Sequence, residues 1–284
     1  MAKPIWTRLT VSRLSPEHWQ IALSPHQVAM VRFSRARKTS RVTERKLLPC
    51  SRTGEQQQSN WSAPLAMLRD NLPQTGANAT PVTVILSNHF LRYMVLPWSP
   101  ELVTQSEELD YANARFAQVF GDKARQWVIR TSDAPAGAER VGAAADASLL
   151  EALSLAFNAG GLTLKSCQPA LMAQFNACRT RIGDNAWLVS AERGRLLVAW
   201  IFKQRWRSVR MRSLNDRVVP LRDILEQERL LLSANEPRYK VFVSAADDIV
   251  IDTKGLRPEQ VAPGLTSPKA SADPEYALAM AGLQ

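Results

Sequence analysis

Apolar and polar positions alternate in short bursts along this chain, and helical periodicity fills the intervals between them. The bursts "WQIAL" and "VAMVRF" flank a polar Ser-Pro-His-Gln and predict paired strands over 19–23 and 28–33, with "RVTERKLLP" as a third. The polar loop 51–60 leads into a helix over 62–71. "TPVTVILSNHFLRYMVLPW" (80–98) then divides into two β-rich halves that meet at Ser87, Asn88 and His89.

A long helix is predicted from Ser99 as N-cap, with Pro100 in its first position, Glu101 in its first turn and Gly121 as its stop. Leu102, Leu109, Phe116 and Phe120 lie near one stripe, so this helix should pack on a sheet. "ARQWVIRT" and "ERVGAAA" read as strands. "DASLLEALSLAFNAGG" reads as a helix capped by Asp146 and ended by Gly160 and Gly161, followed by the strand "LTLKSCQP" and the helix "ALMAQFNACRTR". After Gly183 the pattern starts again: strands from Ala186, Arg195 and Trp206, a helix over 220–232, the strand "RYKVFVSA", and a short apolar helix capped by Asp273. Strand, strand, strand, helix, strand occurs twice. Two related α/β lobes follow, 1–182 with a subdomain inserted at about 99–160, and 183–284.

The repeat has a residue-level basis. "WQIALSPHQVAMV" from Trp19 matches "WLVSAERGRLLVA" from Trp187: Trp on Trp, Ile21 on Val189, Ala22 on Ser190, Ser24 on Glu192, Val28 on Leu196. These residues resemble the duplicated, ribonuclease H-like hairpins of the actin-like fold. More narrowly, they are similar to the PilM-type cytoplasmic proteins of type IV pilus assembly and their relatives in type II secretion and agglutinin-type (MshI-like) pili. The first hairpin there reads V-x-I-D-I-G-x-x-x-V-K, which "WQIALSPHQVA" follows in register. "VTVILSNHFLRYMVLPW" resembles the strand pair of the agglutinin-pilus relatives, and "PEYALAMAGL" the C-terminal PilM helix.

The resemblance also says what the hairpins should carry. In the actin-like fold each D-x-G hairpin aims an Asp at a metal-bound water and uses Gly to bring backbone N–H groups close to phosphate. Here the Asp positions hold Ala22 and Ser190 and the Gly positions hold Ser24 and Glu192, with Gln27 closing the first turn and Gly194 the second. Neither Ala nor Ser anchors a hydrated Mg²⁺ as a carboxylate does, and Glu192 opposes a phosphate. The adenosine contact, a Gly-Gly in the family, corresponds to Ser244, Ala245 and Ala246, followed by Asp247 and Asp248. The expectation is a vestigial site with no cofactor and no metal. The alternative is ATP and Mg held through altered contacts, with Gly194, Arg193 and Arg195 as replacements.

Composition narrows the classes. The 284 residues are 45% hydrophobic, enough for two cores, and no run approaches the roughly 18–20 apolar residues that span a bilayer. The N-terminus carries no signal-peptide core, so a cytoplasmic address is expected. Three cysteines without ligand spacing signal neither a disulfide framework nor zinc. No general base, nucleophile or Walker motif emerges: His89 reads as a turn or packing histidine, and Glu107, Glu108 and Asp110 as a solvated helix face.

The net charge of +10 gathers at Arg32, Arg35, Arg37, Lys38, Arg41, Arg45 and Lys46 and again at Arg205, Arg207, Arg210 and Arg212. Solvated sheet faces or an acidic surface account for it. A nucleic-acid binder is the rival reading, with Trp206 among its arginines as the one stacking candidate. What the resemblance implies is a non-catalytic scaffold at the inner membrane. It would bind the cytoplasmic tail of a single-pass pilus or secretion protein in a groove built near residues 80–130, and an assembly ATPase as a further partner. No nucleic acid is expected. The chain ends without a transmembrane helix, which favours a separate peripheral protein.

Overall fold

The computed structural model describes residues 17–36, 39–50, 60–73, 80–234, 238–246, 248–261 and 279. The predicted Asp273 cap, and Asp247, lie outside these. In the first half β1 (Glu17–Leu23), β2 (Gln27–Ala36) and β3 (Thr39–Pro49) run antiparallel, α1 (Ser62–Asp70) turns the chain, and β4 (Thr80–Leu86) joins β1 in parallel. The chain then leaves the sheet through a single 3-10 turn, Asn88–Phe90. It forms β5 (Leu91–Leu96), α2 (Gln105–Phe120), a 3-10 stretch Gly121–Gln126, β6 (Trp127–Thr131) and β7 (Arg140–Asp146). These strands make a separate sheet in the order β5-β7-β6. α3 (Ala147–Ala159) and β8 (Leu162–Pro169) return to complete a five-stranded sheet, β3-β2-β1-β4-β8.

α4 (Ala170–Cys178) leads to the second half. There β9 (Asn185–Glu192), β10 (Arg195–Phe202), β11 (Arg205–Ser213), β12 (Val218–Pro220), α5 (Leu221–Leu231), β13 (Lys240–Ala245), β14 (Val250–Asp252) and β15 (Glu259–Gln260) follow. The second sheet has the order β11-β10-β9-β13-β15, and β12 pairs with β14 beside it.

The two sheets repeat one another in register as well as in order. Trp19 faces Arg32 and Leu23 faces Val28 in the first hairpin; Trp187 faces Trp200 and Ala191 faces Leu196 in the second. Trp19 lies beside Val82 on the parallel strand and Trp187 beside Val241. The match continues past the strands. Ser87 N–H donates to the Leu23 carbonyl and Ala246 N–H to the Ala191 carbonyl, both at 2.9 Å, and the next turns close from Phe90 to Ser87 and from Ile249 to Ala246, both at 3.0 Å.

Strands that pair in parallel at the centre of a sheet are covered on both faces, which is why β1 reads as almost continuously buried. Its Trp19, Ile21 and Leu23 share a core with Leu68 of α1 and Leu149, Leu153 and Phe157 of α3. The same core reaches the second sheet through α4: Leu171 and Cys178 join Ala186, Leu188, Leu197 and Ala199, and the Phe175 ring meets Trp206 at 4.9 Å. On the outer face of the second sheet, Trp187, Val189 and Trp200 pack with Leu221 and Leu225 of α5. Ala279, near the chain's end, is buried with Ala22, Ala29, Val31 and Phe33 on the first sheet.

Two sequence expectations are corrected. The long helix begins at Gln105 and its N-cap is Thr104, because Glu107 returns its carboxylate to the Thr104 N–H while Thr104 accepts from the Glu107 N–H, a reciprocal capping box that Ser99 cannot match. Ser99 instead closes an isolated turn to Leu102 at 3.3 Å. The two halves of 80–98 do not pair with each other: β4 lies beside β1 in the first sheet and β5 beside β7 in the small one. Asp146 does cap α3, accepting from the Ser148 N–H.

Candidate functional site

The site lies where the second hairpin meets the loop that follows β4. β9 ends at Glu192, and Arg193 and Gly194 turn the chain into Arg195. Gly194 has φ +80°, a left-handed conformation that a side chain disfavours, so the sequence needs glycine here for the turn itself. The turn carries the half-buried Glu192 side chain across to the first half. Its carboxylate accepts from the Ser87 hydroxyl and, at 3.0 Å, from the Asn88 backbone N–H.

Asn88 is 1% exposed and fully used. Its amide nitrogen donates to Ser190 Oγ at 3.1 Å, its amide oxygen accepts from the Tyr93 hydroxyl at 2.9 Å, and its carbonyl accepts from Arg195 at 3.4 Å. Gln174 of α4 also donates to Ser190 Oγ, at 2.9 Å. His89 Nε2 and the Arg193 carbonyl lie 2.9 Å apart, and Asn60 donates to the His89 carbonyl at 3.3 Å. Each polar group inside this network is satisfied by another part of the chain, which is what makes its burial tolerable.

The electrostatics are of one kind. Burial raises the Glu192 carboxyl pKa, opposed by the hydrogen bonds from Ser87 and Asn88 and by the charge on Arg195. Burial also holds the Tyr93 phenol neutral, far above its ordinary range. Arg193 forms an ion pair with Asp248 at 2.7 Å, exposed enough to contribute little.

Ser190 and Glu192 come together with Gly194 at the junction of the halves. Ser244 and Ala245 lie beside Ser190 and Ala191 on the neighbouring strand, and Ala246 continues that edge. In the first hairpin the side chains of Ala22 and Ser24 are engaged elsewhere. Ala22 is 5% exposed, against Ala29 and Ala279, and the Ser24 hydroxyl is taken up by its own turn, donating to the Gln27 carbonyl at 2.9 Å and accepting from the Gln27 N–H at 3.1 Å. That hairpin reaches the junction through the Leu23 carbonyl, which accepts from the Ser87 N–H at 2.9 Å, and through His26, whose ring meets His89 edge-on at 5.9 Å. Both positions expected to aim a carboxylate at a metal are therefore packed: Ala22 in an apolar cluster, Ser190 under Asn88 and Gln174. No group of three or more metal-ligating side chains occurs among the described residues.

Sequence reasoning missed Tyr93 and Gln174. Gln174 had a signal, as the one long polar side chain inside the apolar run "ALMAQF". Trp206 is corrected: it is 7% exposed, against Phe175, so its face is not offered to a base. The arginines around it are engaged as well, Arg205 with the Gly137 carbonyl, Arg207 with Glu139, and Arg210 and Arg212 with the buried Glu228.

No protein-family model matches this sequence, and no curated protein matches it. Solved structures do. A chain of the PilM-PilN type IV pilus biogenesis complex superposes with a TM-score of 0.63 at 12% identity, over 94% of this chain and 98% of that one. A Bacteroides thetaiotaomicron protein with an actin-like ATPase fold and unknown function superposes with a TM-score of 0.55 at 10% identity, over 88% of this chain and 96% of that one. With the duplicated hairpins and the two five-stranded sheets in matching order, these likenesses identify the fold: the chain has the two-lobed, actin-like ATPase fold.

Proposed function

We propose that this protein is a non-catalytic scaffold of a type IV pilus or related type II secretion assembly, peripheral to the inner membrane and holding the cytoplasmic tail of a single-pass membrane partner. The observation that carries the reading is the filled junction between the halves. Where the actin-like fold would receive a phosphate and its metal, this chain has an alanine under an apolar cluster, a serine bonded to two buried amides, and a carboxylate already bonded to Ser87 and Asn88. The whole-length likeness to a chain of the PilM-PilN complex supports this choice of machinery.

The surface for a tail is the recess beside the small sheet, lined by Leu96, Pro97, Trp98, Leu102 and Tyr111, with the Glu108–Arg140 pair at 2.6 Å on its rim. Trp98 is 41% exposed there, and an apolar floor with one charged pair suits an extended amphipathic peptide. No described helix is long and apolar enough to cross a membrane, so membrane attachment in this reading comes from the partner. An assembly ATPase is a further candidate partner.

The ATPase alternative relied on Arg193 and Arg195, and these are bonded to Asp248 and to the Asn88 carbonyl. A thermal-shift titration with Mg-ATP separates the readings: no stabilisation is expected, whereas a rise of several degrees abolished by EDTA overturns the non-catalytic part. A pull-down from native membranes tests the rest. A single-pass pilus or secretion protein is expected in the eluate, and should be lost with Trp98→Glu. A binding partner that survives Trp98→Glu overturns the recess as its seat.

A further inference from the structure

The bonds at the junction connect positions more than a hundred residues apart: Ser87 to Glu192, Asn88 to Ser190 and Glu192, Arg195 back to the Asn88 carbonyl, and His89 to the Arg193 carbonyl. All run between the loop after β4 in the first half and the β9–β10 turn in the second. Two halves joined this way by a ligand would separate when the ligand leaves. Here the bridging group is a side chain.

We infer that the Glu192 side chain is an internal latch, a covalently attached hydrogen-bonding group that bridges the two halves and holds them in one fixed arrangement with no bound ligand. This goes beyond the scaffold reading and does not depend on it, since a protein with any partner could carry the latch.

Three features make Glu192 the centre of the cluster. Its two oxygens are divided, one on a side-chain hydroxyl and one on a backbone N–H of adjacent residues, so the carboxylate fixes that loop in position and direction. The turn that presents it is held by Gly194 in a conformation glycine favours. Its neighbour two residues earlier, Ser190, takes hydrogen bonds from both Asn88 and Gln174, so strand and loop are fastened at a second point on the same face. The charged and titratable groups facing Glu192 are Arg195 from β10 and Tyr93 from β5, with Arg193 and His89 at the turn. A ligand's contribution to closure scales with its concentration, whereas an attached group is always present.

The experiment is hydrogen exchange on the full chain for Glu192→Ala, Glu192→Gln and Ser87→Ala. Glu192→Ala should speed amide exchange at least tenfold at residues 87–89 and 193–195, with the centres of β1 and β9 unchanged, and should increase the radius of gyration in solution scattering. Glu192→Gln can still accept from the Asn88 N–H and donate to Ser87, and should exchange like the parent. Ser87→Ala removes one of the two bonds and also the cap that accepts from the His89 N–H, so its latch effect is read across the junction, at 193–195, where its rates should fall between parent and Glu192→Ala. Adding Mg-ATP or inorganic phosphate to the parent should leave the pattern unchanged. Unaltered exchange at 193–195 in both Glu192→Ala and Ser87→Ala overturns the latch, as does closure of the parent on adding either ligand. Should Glu192→Ala fail to fold, the rates of Ser87→Ala at 193–195, which the Ser87 cap on His89 does not touch, decide the matter.

Discussion

At the scale of single residues, two titratable groups in this protein pull stability in opposite directions with pH. His18 on β1 is 7% exposed and its Nδ1 has no hydrogen-bond partner among the described residues, so the ring is held neutral. Burial lowers its pKa from 6.5 to about 4. A folded pKa below the unfolded one means that the stability it supports is complete above pH 6.5 and is lost as pH falls toward 4. At 1.36 kcal/mol per pKa unit the loss approaches about 3 kcal/mol. Denaturant titrations of the parent and His18→Gln across that interval should therefore converge by this amount as the parent loses stability; parallel curves would mean that the ring is not held neutral. Glu192 has the reverse sign. Burial raises its pKa above the ordinary 4.5, so its favourable contribution is complete in acid and is lost as pH rises through the raised value. The parent should therefore lose stability relative to Glu192→Gln on going from acid to neutral pH, with Arg195 limiting the size of the effect. Melting temperatures of the pair at successive pH values measure it.

At the scale of elements, the β10–β11 turn carries the clearest local cost. Lys203 and Gln204 both sit in the left-handed region, at φ 51° and 59°, where Asn and Gly are favoured. Lys203→Asn with Gln204→Gly should stabilise the protein by about 1 kcal/mol, read as a higher denaturant midpoint with an unchanged slope. Gly142 on β7 shows the opposite. A β-carbon there would stand 2.8 Å from a Phe116 ring carbon and 3.1 Å from a Leu96 methyl, because α2 approaches the small sheet closely at that residue. Gly142→Ala should cost about 1–3 kcal/mol, with exchange rising first in α2. Elements of this kind were unevenly legible in the sequence. The paired hairpins could be read because Trp19 and Trp187 mark equivalent places on strands whose alternation is intact. The start of α2 was misread, although Thr104 and Glu107 spell a capping box, because Ser-Pro-Glu at 99–101 is an equally strong local signal and only geometry ranks them. The residues of the second hairpin were found and their partners were not. Glu192 bonds to Ser87 across 105 positions, a pairing set by how two sheets meet, and local periodicity carries no trace of it.

At the scale of the whole molecule, the question is whether two lobes behave as one. The core that begins at Trp19 and Leu23 continues through Leu171 and Cys178 into Leu188 and Leu197, so neither sheet buries its inner face alone. Each half also supplies cover for the other: α4 lies on the second sheet, and Ala279 lies on the first. Polar ties reinforce this away from the latch, where Arg207 of β11 meets Glu139 at 2.5 Å and Arg205 meets the Gly137 carbonyl at 2.8 Å. A shared core of this size implies that the halves unfold together, since opening one exposes apolar surface of both. Phe175→Ala tests it, because the ring bridges α4 to Trp206 at 4.9 Å and makes no hydrogen bond itself, although its neighbour Gln174 bonds Ser190. The variant should lose about 3 kcal/mol, keep a single unfolding transition, and lose exchange protection by the same factor in β1–β2 and β9–β10. A two-step melt, or protection lost in the second sheet alone, would mean that the lobes are independent. The contrast with Glu192→Ala then separates two kinds of coupling: removing the latch should open the junction and the arrangement of the halves without weakening either sheet, whereas removing Phe175 should weaken both sheets and leave the mouth bonded until the whole chain unfolds.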